Sequence, residues 1–236
     1  DHDNVEVWNS GWALMAPSFR LEDLEEWEAS HGVAGAPFRR AVQAPGLSSD
    51  QSLAWYEAQL SIGRHLGVIG GSDRHAVLLP GFPTTWIQTD ELTEEGVLAG
   101  LAARHSFVSR TPAAAQILVE VQAASGTWQL GDGVPVQAGE EVTVRVRVGR
   151  ARGGELELRV GQAWPEEDLE DAPLSRVLLS EAIDSDDFVV ETTMTVQPGD
   201  WFYPVVTEPL IAPGLDGEEA DAIRGLATEV ARTGAE

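Results

Sequence analysis

An aspartate and a histidine stand two apart in the stretch GVIGGSDRHAVLLPGFPTT, residues 67–85, just after a short apolar run. In an extended segment, side chains at i and i+2 project to the same side, so Asp73 and His75 can face one point beyond the end of a buried strand. A carboxylate oxygen and a neutral imidazole nitrogen suit zinc, manganese or iron, and Gly70 and Gly71 would let the backbone bend there without side-chain obstruction. The same residues also read as ordinary turn chemistry, since aspartate, serine and glycine commonly follow a strand. Two ligands are fewer than a catalytic zinc takes from protein. On spacing alone the turn reading is the commoner of the two.

The elements that must position this pair are legible on either side of it. Residues 4–9, NVEVWN, alternate with the period of a strand, Val5 and Val7 on one face and Glu6 and Trp8 on the other. Glu6 and Asn9 lie toward the end of that strand, where they would line the same pocket. RLEDLEEWEAS carries Leu21, Leu24 and Trp27 at helical spacing, and a Gly/Pro-rich connection follows to residue 50. SLAWYEAQLSIG predicts a helix with Leu53, Tyr56 and Leu60 on one face, ending at Gly63 and leading into HLGVIGG, a buried parallel strand. TTWIQT reads as another strand. Thr93 with Glu94 and Glu95 starts a helix whose apolar stripe is Val97, Leu98 and Leu101, and SFVS closes the unit. Alternation of strand and helix through residue 110 predicts an α/β domain over residues 1–114.

The texture changes near residue 115. AQILVEVQA, EVTVRVRV, ELELRV, RVLLSE, DFVVETTMTV and WFYPVVTE are short, mostly alternating segments separated by turn residues. Six or seven such strands without helices predict an immunoglobulin-like antiparallel sandwich over 115–210. PEEDLEDAP, residues 165–173, reads as a solvated acidic loop. In the tail, 211–236, Asp216 and Glu219 form a capping box, and Ile223, Leu226, Ala227 and Val230 form the apolar face of a closing helix. Trp128, Trp164 and Trp201 could make a sugar-stacking surface, although core packing is the commoner fate of tryptophan in such domains.

Composition closes off several classes of function. The 236 residues include 39 acidic against 15 basic ones, a formal charge of −24, and every basic residue is arginine. Such a surface repels phosphate backbones and anionic lipids, so neither nucleic acid nor membrane is an expected partner. The absence of lysine removes Schiff-base and phosphate-loop chemistry, and the absence of cysteine removes thiolate nucleophiles, disulfides and cysteine-ligated zinc. The chain opens DHDNVEVWNS without methionine and enters a strand almost at once, as a processed or truncated product would. This composition is compatible with an exported protein that has lost its signal.

GGSDRH followed by PGFPTTWI, a helix and RHSFVS resembles the C-terminal end of the PHP (polymerase and histidinol phosphatase) metallohydrolase superfamily, particularly its CehA/McbA-like branch. There an amphipathic helix runs into Gly-Ser-Asp-x-His, then Gly-x-Pro-x-Thr, then a helix ending in Gly-Arg-x-Phe-Val-Ser. VEVWN at 5–9 looks like that branch's preceding strand, and VVTEPLI resembles the Thr-Asn-Pro-Ile ending of the β-rich extension many members carry. The resemblance covers roughly residues 1–112 in order. It implies the C-terminal half of a distorted TIM-like barrel, with a cluster of divalent ions (zinc, manganese or iron) that activates water to hydrolyse phosphoester, carbamate or related bonds in a small molecule. Carried over by position, Asp73 and His75 would be the last pair of metal ligands.

The chain departs from the pattern at Arg104 and His105, where Gly-Arg is usual, and it contains no His-x-His pair, no middle acidic ligand and no His-Pro histidine. A complete site would therefore need an N-terminal segment from elsewhere, and the incomplete barrel would be covered by that segment or by self-association. The remaining histidines have structural explanations: exposure beside the terminus for His2, a loop for His31, and helix ends for His65 and His105. The alternative expectation is a non-catalytic fragment or degenerate relative whose β-sandwich binds a glycan, wall polymer or protein.

Overall fold

A computed structural model describes residues 4–9, 21–31, 35–44, 48–72, 81–169 and 171–208. Among these, β1 (Asn4–Asn9) is followed by α1 (Leu21–His31), α2 (Ala36–Gln43) and α3 (Ser48–Ser61) before β2 (Gly67–Gly71). β1 and β2 pair in parallel, which requires a long crossover, here helical, rather than a tight turn. β3 (Thr84–Ile87) and β4 (Ser106–Ser109), joined through α4 (Glu94–Ala102), make a separate antiparallel pair. Parallel pairing, which the strand–helix alternation predicts, is thus confined to β1 and β2 among the described residues.

The other seven described strands are β5 (Gln116–Ala123), β6 (Gly126–Gln129), β7 (Glu140–Gly149), β8 (Glu155–Gly161), β9 (Arg176–Ala182), β10 (Asp187–Val196) and β11 (Trp201–Thr207). They form two antiparallel sheets, ordered β10-β7-β5-β6 and β11-β8-β9. Two-residue alternation explains which way each strand faces. On β7, Val142, Val144, Val146 and Val148 are at most 2% exposed, while Arg145 and Arg147 stand in solvent. Ile117, Val119 and Val121 of β5 and Leu156 and Leu158 of β8 join them in one core shared by both sheets. Each such side chain contributes about 1.5–3 kcal/mol by leaving water. The molecule is β-rich with four described helices, none long and apolar enough to cross a membrane.

Two stretches read as connections do more than connect. The Gly/Pro-rich run after α1 contains α2, an eight-residue helix with Pro37 in its first turn, where the missing N–H costs no hydrogen bond. Pro37, Ala41 and Val42 are its buried face. In the acidic stretch, Glu166–Asp168 form an exposed 3-10 turn, but Leu169 is fully buried. Leu169 and Leu174 pack with Ala58 of α3, so this loop anchors the helices to the two-sheet unit. The expected closing helix, in 209–236, lies outside the described residues.

Candidate functional site

The site must be built from the end of β2, and the strand pair fixes what stands there. Asn4 pairs with Gly67, Glu6 with Ile69, Trp8 with Gly70 and Asn9 with Gly71, with an irregularity between Glu6 and Trp8. Both strands therefore finish side by side at Asn9 and Gly71. The C-terminal edge of parallel strands is where α/β folds build sites. Asp73 and His75 follow two and four residues beyond Gly71 and lie outside the described residues.

The two glycines serve close approach. Neither is in the left-handed region; what requires glycine at both is the nearness of other atoms. A Cβ on Gly70 would stand 2.6 Å from Val108 Cγ1 and 3.0 Å from both Pro83 Cγ and the Trp8 carbonyl oxygen. A Cβ on Gly71 would stand 2.7 Å from Glu6 Oε1, so the exposed Glu6 carboxylate sits directly over that glycine. Of the four residues expected at the site, the structure brings Glu6 to the end of β2 and places the backbone of Asn9 opposite Gly71.

The second edge of β2 is sealed by hydroxyl groups. Thr85 Oγ1 donates to the Gly70 carbonyl at 2.8 Å and accepts from the Gly70 N–H at 2.9 Å, replacing a neighbouring strand at that residue. Ser106 Oγ donates to the Val68 carbonyl at 2.7 Å. Behind them the Trp86 indole N–H donates to Ser109 Oγ at 2.8 Å, and the Trp86 and Phe107 rings stack 5.8 Å apart. Asn4 Nδ2 ties the start of β1 to the Leu101 carbonyl at the end of α4, at 2.9 Å. The Pro-Thr-Thr and Ser-Phe-Val-Ser segments thus work as supports for β2.

The histidines divide between two settings. His105 Nε2 lies 2.9 Å from Asp132 Oδ1, and Gln129 Nε2 lies 3.2 Å from His105 Nδ1, so this ring is held in the seam between β4 and the β6–β7 connection. His65 lies beyond the end of α3, and its imidazole is held below the usual range, first by partial loss of solvation and then by the nearby Arg104 guanidinium. Arg104 itself occupies a left-handed conformation, φ 64°, and its carbonyl oxygen would be 2.2 Å from a Cβ on Gly131. Only glycine fits there.

A cavity of about 1070 Å³ lies between α3, β1, β2, β4 and the two-sheet unit, with Val7, Trp8, Tyr56, Phe107, Trp201 and Tyr203 in its wall. Glu6 is not among the residues of its wall, so the carboxylate over Gly71 is not part of this cavity. Among the described residues no group of three or more histidine, aspartate or glutamate side chains gathers closely enough to hold a metal ion. Trp128 packs on the main core, Trp164 on the Ala58 cluster, and Trp201 is buried and stacked on Tyr203, so these three rings do not form a sugar-stacking face. Compared with models of protein families, with curated proteins and with solved structures, the chain matches none.

Proposed function

We propose that this chain is the C-terminal portion of a PHP-type metal-dependent hydrolase acting on a phosphoester, carbamate or related bond, followed by an immunoglobulin-like β-sandwich. The observation that carries this reading is the parallel β1–β2 pair, whose C-terminal ends stand together with the Glu6 carboxylate over Gly71, two residues before Asp73. Carboxylate and imidazole donors fit a divalent ion of the zinc, manganese or iron kind. Asp73 and His75 would be its ligands in this chain, and Glu6 and Asn9 would line the site. A bound ion would supply an activated water and polarise the bond under attack. The other ligands would come from outside these 236 residues, which contain no His-x-His pair.

The chain's own residues do the positioning. Thr85 and Ser106 hold the β2 backbone, Gly70 allows it to pack against Val108 and Pro83, and Gly71 leaves room for a carboxylate. The test is metal binding by this chain and by a double variant, Asp73→Ala with His75→Ala, measured by titration with zinc and with manganese. The chain should bind weakly and the double variant at least about tenfold more weakly, a difference of about 1.4 kcal/mol. Hydrolysis of a generic phosphodiester should be negligible for this chain alone. Equal metal affinity in parent and variant would sink the reading.

A further inference from the structure

Two adjacent residues of α3 reach in different directions. The Tyr56 hydroxyl donates to the Leu66 carbonyl at 3.2 Å, at the residue that leads into β2. Glu57, only 6% exposed, turns instead toward the two-sheet unit. Ser175 Oγ donates to Glu57 Oε1 at 2.6 Å, and the Tyr203 hydroxyl donates to the same oxygen. These donors lie 118 and 146 residues away along the chain.

The surroundings fix that contact. Trp201 and Tyr203 alternate along β11 with Phe202 and Val206, which pack on the main core, so the two rings stand on the sheet's other face. Trp201 stacks on Tyr203 at 6.0 Å, and Tyr56 meets Tyr203 edge-on at 6.3 Å. Arg159 is opposite Tyr203 on β8 and is bonded to Glu157 at 2.8 Å. Burial, then the charge of Glu57, pushes the Tyr203 phenol well above its usual range, so Tyr203 remains the donor. A buried carboxylate is a costly way to gain stability where an apolar side chain could fill the space. What it supplies is a directional demand that a greasy contact would not make.

We propose that Tyr56 and Glu57 form a mechanical coupling between the two-sheet unit and β2, in which Glu57 grips Tyr203 and Ser175 while Tyr56 grips the lead into β2. Loosening the sheet contact then loosens β2, although β2 makes no hydrogen bond to β11. This inference stands independently of the hydrolase reading, because it concerns the strand whether or not an ion binds beyond it.

Amide hydrogen exchange on the whole chain tests it, comparing the parent with Tyr203→Phe, Glu57→Gln, Tyr56→Phe and Ser175→Ala. Tyr203→Phe removes one hydroxyl from a charged acceptor, and exchange should rise about tenfold together in β11, α3 and β2. Protection in β5, β7 and β10 should hold, which separates the coupling from general destabilisation. Tyr56→Phe should release β2 while leaving β11 unchanged. Combining Tyr203→Phe with Glu57→Gln should add little to the larger single effect. Ser175→Ala, the mildest change, should give the same pattern at smaller size should Tyr203→Phe not fold. The proposal is overturned if β2 exchange stays at the parental rate when α3 and β11 loosen, or if the four-stranded sheet loosens equally.

Discussion

Glu140 shows how much of a turn can rest on one carboxylate. Its two oxygens accept the N–H groups of Ala124 at 2.9 Å and Gln137 at 2.8 Å, tying the β5–β6 turn to the approach to β7. These two bonds, the one from Gln137 first, hold its pKa below the ordinary 4.5. A carboxyl whose folded pKa is depressed binds its proton more readily in the unfolded chain. Its contribution is therefore complete above 4.5 and is lost as pH falls from 4.5 toward the lower folded value. The parent should lose melting temperature across that window more steeply than Glu140→Gln, and parallel curves would refute the assignment. The sequence gives no hint of this role, since Glu140 and Glu141 stand side by side and only tertiary contact distinguishes them. Glu6 is the converse: its place on a strand was legible, but it stands in the middle of β1 rather than at its end, and its seat over Gly71 was not legible.

At the scale of elements, what is encoded locally was readable and what depends on a distant partner was not. The start of α4 is an example of the first kind: Thr93 Oγ1 accepts the Gly96 N–H at 3.0 Å, and Glu94 and Glu95 follow in the first turn. The alternating strands of the two-sheet unit are another, because period-two patterning acts on each strand separately. β2 belongs to the second kind. Its hydroxyl-sealed edge depends on Thr85 and Ser106, which could be identified only once β3 and β4 were seen beside it. Thr85→Val keeps the shape of the side chain and removes both bonds to Gly70. It should cost about 1–3 kcal/mol, read from the urea midpoint, with little change in the slope. A loss within about 0.5 kcal/mol, the range of ordinary surface changes, would show that the edge does not need this hydroxyl. The α2 helix was missed because Gly and Pro density is a signal for loops, whereas Pro37 sits where a helix tolerates it.

For the whole molecule, a formal charge of −24 must be held on a compact surface. Compaction brings like charges together, so folding works against self-repulsion that the expanded chain partly escapes. Raising salt from about 10 mM to about 150 mM shortens the screening length from about 30 Å to about 8 Å. The melting temperature should rise over that range, as scanning calorimetry would record. A fall would mean that attractive pairs such as Arg147 with Asp187 outweigh the net repulsion. At the same scale, the β11-β8-β9 sheet packs one face on the main core, and Tyr203 on its other face meets Tyr56 and Glu57 of α3.

The sequence by itself determined the strand at residues 4–9, the positions of α1, α3 and α4, the alternating strands beyond residue 115 and the exclusion of lysine and cysteine chemistry. Each follows from local periodicity, capping or composition, which need no distant partner. The tertiary structure alone decided that Gly70 and Gly71 are sites of close approach, that His105 is held by Asp132 and Gln129, and that Glu57 joins the helices to a sheet. Those facts depend on which residues meet across the chain, and no spacing along a single segment encodes such a meeting.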